Sequence, residues 1–144
     1  MAITTNAICN SFKKELLEGK HNFTVSTGDK FKLALYTSSA TLGKSTTVFT
    51  TTNQVAASGS YVSGGGALVN AGTSLASNTA IVDFNNLSFT SATITARGAL
   101  IYNTSNSNTA VCVLNFSTDK SSTSGTFTIQ FPAFTTSAAI IRIA

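Results

Sequence analysis

Reactive chemistry in this chain would have to come from few side chains: one histidine, His21, two cysteines, Cys9 and Cys112, and five acids, Glu15, Glu18, Asp29, Asp83 and Asp119. A hydrolytic triad needs a histidine that an acid orients and that touches a nucleophile. His21 comes just after Gly19 at the end of a helical stretch, where it reads as a solvated residue completing the helix end. One histidine and two separated cysteines give no zinc-ligand spacing. The acids are too scattered for a glycosidase pair or a calcium loop. Leu42-Gly43-Lys44-Ser45 imitates the end of a phosphate-binding loop, but Ser38 stands where that loop needs its first glycine. The sequence therefore predicts no catalytic, cofactor-binding or metal-binding residue, and no enzyme.

Arg97 lies inside the apolar run TITARGALIYN, where a charge must face water or be paired. It reads either as half of an ion pair, with Asp83 on a neighbouring strand, or as an anchor in a subunit interface. The cysteines have apolar neighbours and read as small core residues, with a bridge between them left open. Four Asn-x-Ser/Thr sequons, at Asn22, Asn86, Asn103 and Asn115, are expected by chance in so hydroxyl-rich a chain.

The elements that would position these groups are mostly strands. Ile8, Phe12 and Leu16, with Cys9 alongside, make one apolar stripe, which predicts an N-terminal helix within residues 1–20. Thr5 or Asn6 would cap it, and Gly19 would end it. From residue 22 the period changes to two. HNFTVST and DKFKLALYT flank a Gly28-Asp29 turn, and Phe31, Leu33 and Leu35 share one face of the second run. AIVDF (80–84), NLSF (86–89), TITARGALIYN (93–103), AVCVLNF (110–116), GTFTIQFP (125–132) and AAIIRIA (138–144) read as separate strands. Residues 38–79, rich in Thr, Ser, Gly and Asn, read as a long irregular loop region or a set of short strands. The predicted fold is mainly β: one antiparallel β-sandwich over residues 1–144, Ig-like or jelly-roll-like, with a short N-terminal α-helix.

Composition narrows the class. The chain has 144 residues, 42% of them hydrophobic and only 10% charged, so Ser, Thr and Asn must take over the surface. A charge-poor, hydroxyl-rich surface suits a protein packed against copies of itself or a large partner. The net charge of +4 is dispersed, not gathered into the basic face that nucleic acid requires. No apolar run approaches the ~20 residues that span a bilayer. No signal peptide is expected, because the positive charges come late, from Lys13 onward.

The strings MAITTNAICNSFKKELLEGKHNF, FKLALYTSSATLG, TTVFTTTNQV, SYVSGGGAL and SATITARGALIYN together resemble a group of small bacteriophage virion structural proteins. The resemblance is collinear over essentially the whole chain. It implies a capsid decoration, or cement, protein that docks on the outside of an assembled head, with the major capsid protein as partner and a homo-oligomer, a trimer favoured, as the working unit. Its location would be the capsid surface of the virion. On this reading the N-terminal segment and residues 38–79 supply contacts, and Phe12, Lys13 and Arg97 are the candidate interface residues. Two other expectations compete: a tail component such as a fibre, adaptor or receptor-binding module, and a carbohydrate-binding adhesive domain. The absence of tryptophan weighs against the last.

Overall fold

The computed structural model describes residues 3–144. In chain order the elements are β1 (Ala7–Ile8), α1 (Asn10–Leu17), β2 (Phe31–Tyr36), β3 (Gly66–Ala67), β4 (Asn70–Ala76), β5 (Thr79–Phe84), β6 (Leu87–Asn103), β7 (Thr109–Ile129) and β8 (Ile141–Ile143). They form two antiparallel sheets, a larger one ordered β1-β7-β6-β2-β3 and a smaller one ordered β4-β5-β8. The protein is mainly β with one short helix near the N-terminus, as the sequence predicts.

One core joins the two sheets. The ring of Phe31 on β2 stacks on Phe23 at 4.7 Å and meets Phe84 of β5 at 5.8 Å. Phe84 in turn meets Phe131 at 5.8 Å, edge on. Burying aromatic surface of this size, with tilted and edge contacts that suit the ring quadrupoles, is the main force closing the small sheet on the large one.

The helix is shorter than the sequence suggests. Cys9, not Thr5 or Asn6, is its N-cap, and no side chain caps it. Ile8 belongs to β1, paired with Cys112, because the arm before the helix finds a ladder partner on β7. Gly19 ends the helix in the left-handed region, φ 72°, as expected.

HNFTVST is a compact turn, not a strand. The Asn22 side chain accepts the Thr24 N–H, Asp29 accepts the Asn22 N–H, and Gly28 N–H bonds Thr24 O. These side chains offer the backbone a local alternative to a ladder. Residues 38–65 form turns and isolated bridges, whereas β3 and β4 give the rest of the 38–79 region regular pairing. Of AAIIRIA, only Ile141–Ile143 is strand.

The largest departure concerns four of the expected strands, which fuse into two. Leu87–Phe89 of NLSF and all of TITARGALIYN are parts of β6, and AVCVLNF and Gly125–Ile129 of GTFTIQFP are parts of β7, with Asn86 and Gln130–Pro132 outside the strands. Of the polar residues between the two β7 segments, Ser121 meets Thr95 at 3.0 Å and Ser122 donates to Ala92 O at 2.8 Å, and farther out Ser88 meets Thr128 at 2.9 Å. Register shifts interrupt the hairpin, and Ser91, Ser117 and Ser124 sit near them at positive φ. Serine tolerates the left-handed backbone of a bulge better than a β-branched residue does.

Candidate interaction surface

The β6–β7 hairpin changes character along its length. From Gly98 to Asn103 every residue of β6 is buried, and so are Ala110–Val113 opposite. One side of this inner half faces the 38–65 segment: Tyr102 donates to Gly64 O at 2.6 Å and stacks on Phe49 at 4.5 Å. The other side faces the helix and the loop that follows it, through Asn103 and His21.

The outer half, Leu87–Arg97 with its β7 partners, is covered on one face only. Phe89, Ala92, Ile94 and Ala96 are buried, with Tyr61 meeting the Phe89 ring edge-on at 4.9 Å. Tyr61 is fixed in turn by its hydroxyl, which accepts the Leu35 N–H at 2.8 Å. Ser88, Thr93, Thr95, Ser121, Thr126 and Thr128 face solvent, a face that carries hydroxyls and few charges.

The candidate interface residues fall in three different settings. Phe12 is 1% exposed and packs between His21 and Phe23, so its ring belongs to the core and is not presented to a partner. Arg97 does not pair with Asp83. Its Nε donates to Asp119 Oδ1 at 2.9 Å across the hairpin, where the register of β7 shifts and brings Asp119 alongside. Lys13 is exposed, and with Lys44 it lines a cleft of about 670 Å³ between the arm Thr4–Ile8 and the turn Thr41–Thr46. No carboxylate lines this cleft. The turn is held by Thr46 N–H on Gly43 O at 3.0 Å and tied to the helix start by Asn10 N–H on Lys44 O at 2.8 Å. Gly43-Lys44-Ser45, which only imitates a phosphate-binding loop, lies beside Lys13, a proximity that spacing along the chain does not reveal.

His21 is a correction. It is not solvated: its side chain is fully buried. The Asn103 amide donates to His21 Nδ1 at 3.0 Å and to Asp29 Oδ2 at 2.8 Å, using both of its protons. His21 Nδ1 is therefore an acceptor, which leaves the proton of the neutral ring on Nε2, 3.3 Å from Glu15 Oε2. Burial lowers the His21 pKa, and the Glu15 carboxylate opposes that shift. Asn103 ties the loop to the end of β6, and the Phe12 ring, 4.8 Å from the imidazole, joins His21 to the helix.

Asp83 is also buried, at 1% exposure, with Oδ1 accepting the Phe84 N–H at 2.9 Å. Desolvation raises its pKa, with the backbone of Phe84 and Ile140 pulling the other way. Both cysteines are free and buried. Burial, with Glu15 adding to it, pushes the Cys9 thiol up to about 11, and burial raises Cys112 as well. Among the described residues no group of three or more His, Cys, Asp or Glu could hold a metal ion.

Comparison with protein-family models, with curated proteins and with solved structures finds no match to this chain.

Proposed function

We propose that the chain is a structural protein of a phage particle, a decoration or cement protein that docks on the outer surface of the assembled head and bridges neighbouring capsomers. The phage assignment rests on the sequence resemblance. The observation that supports a docking role is the outer half of the β6–β7 hairpin, a braced blade whose free face carries hydroxyls rather than charge. Such a face can form many shallow hydrogen bonds with a large preformed surface at little desolvation cost per group. The cleft with Lys13 and Lys44 supplies a second contact, suited to carboxylates of the major capsid protein. Binding only the assembled state stabilises that state by mass action.

The test is to mix the purified chain with heads that lack it and to measure co-sedimentation and survival of the heads on heating. Saturable binding that protects the heads is the expected result, with Lys13→Glu plus Lys44→Glu weakening it. A chain that stays in the supernatant at every ratio would reject docking on the head. Gold-labelled antibody confined to tails of intact particles would replace this reading with a tail component.

A further inference from the structure

β7 is a long strand with a short neighbour. On one side it pairs with β6 throughout, but on the other β1 covers only Cys112 and Val113. The Asn6 side chain takes the Asn115 N–H at 2.6 Å and closes that contact. Among the described residues, no strand lies along the remaining edge, Phe116–Ile129.

The direction of the backbone groups follows from β6. Thr90 donates its N–H to Ser60 Oγ at 2.7 Å and accepts the Ser60 N–H at 3.0 Å, both on the side away from β7. Alternation then makes Phe89–Phe127 and Leu87–Ile129 the hydrogen-bonded pairs and Ser88–Thr128 the non-hydrogen-bonded one. The 2.9 Å approach of the Ser88 and Thr128 hydroxyls agrees with that closer kind of pair. The N–H and C=O of Thr128, and by the same alternation those of Thr126, point out of the sheet into the open edge.

We propose that this edge pairs with the same edge of a second copy, antiparallel, about a two-fold axis at Phe127. The phase is self-complementary: Thr126 of one copy meets Thr128 of the other, and each pair exchanges two N–H···O=C bonds. A two-fold axis can pass through either kind of opposed pair; centred on Phe127 it sets Thr126 opposite Thr128 and keeps Ser124–Gln130 paired within the charge-free stretch. The charge pattern also permits it. Ser121–Gln130 contains no charged residue, whereas edges built to stay single carry lysine, proline or an inward charge. Across the axis Thr126 and Thr128 make cross-strand hydroxyl pairs. Beside them, an open groove of about 480 Å³ lined by Leu114, Phe116, Phe127, Ile129 and Phe131 is narrowed by the second copy. The contact belongs to the chain itself and does not depend on the docking partner. It gives a two-fold pair where the resemblance implies a trimer.

Sedimentation equilibrium over a concentration series decides it, with Thr128→Pro and Thr128→Val as the informative variants. Proline removes the outward N–H and leaves the ladder to β6 intact, since Thr128 gives β6 no backbone bond. Valine keeps the N–H and loses the hydroxyl. The expected result is a monomer–dimer equilibrium for wild type and Thr128→Val, weakened about tenfold or more, some 1.4 kcal/mol, by Thr128→Pro. Amide exchange supplies a check that needs no variant: Thr126 and Thr128 should gain protection as wild-type concentration rises. A wild-type chain that is monomeric or trimeric throughout would overturn the proposal. So would a dimer whose Thr126 and Thr128 amides exchange freely at all concentrations.

Discussion

The two halves of the β6–β7 hairpin share strands, sheet and backbone pairing, yet they answer to different rules. In the inner half both faces are buried, so GALIYN and AVCV read as nearly continuous apolar runs. In the outer half only one face is covered, by Tyr61 and its neighbours, and apolar residues alternate with threonine and serine. The inner half is held by what packs on it. The outer half is held by its ladder, by hydroxyl pairs and by one roof. Stability should therefore fall steeply along the hairpin from its closed end to its open end.

Truncation in the inner half carries the largest expected effect. Leu100 has no exposed surface, and Leu100→Ala should cost about 3–5 kcal/mol in urea unfolding. A loss under about 1 kcal/mol would mean that the inner half is not the anchor. Tyr61→Phe tests the roof of the outer half. It leaves the buried Leu35 N–H without its acceptor and should cost about 1–3 kcal/mol. The next effect is one of pH at the end of the inner half. Because burial lowers the His21 pKa below its ordinary value of 6.5, the unfolded chain takes up the proton first as pH falls. Stability should therefore decline from about pH 7 toward pH 5, and a His21→Gln variant should lose that slope. The smallest effect lies on the free face. Arg97→Ala breaks an ion pair in which both partners are partly solvated, and should cost under about 1 kcal/mol, less in high salt. A larger, salt-independent loss there would erase the contrast between the halves.

Much of the fold could be read from the residues, and what could not has a common cause. β2 was legible because Phe31, Leu33 and Leu35 alternate, and the helix because Phe12 and Leu16 share a stripe ended by Gly19. The continuity of β6 and β7 was not, since Ser117–Ser124 has no apolar period to announce a strand. Its place is set by partners far along the chain, which a local pattern does not contain. The same holds for the site. Lys13 was legible as an exposed charge, but its meeting with Lys44 depends on where the turn Thr41–Thr46 folds back. Arg97 plainly needed a partner, yet choosing Asp119 over Asp83 required the register shift in β7. His21 looked solvated because nothing local shows that Asn103 will come to meet it.

The arm ahead of the helix has a consequence for how the chain comes into being. Ile8 is made before its ladder partner Cys112, which lies 104 residues further along the chain. Until then the arm has no ladder partner on β7. Closing so long a loop is slow. Removing residues 1–19 would not release a detachable docking arm. It would take out Ile3, Cys9 and Phe12, which belong to the core.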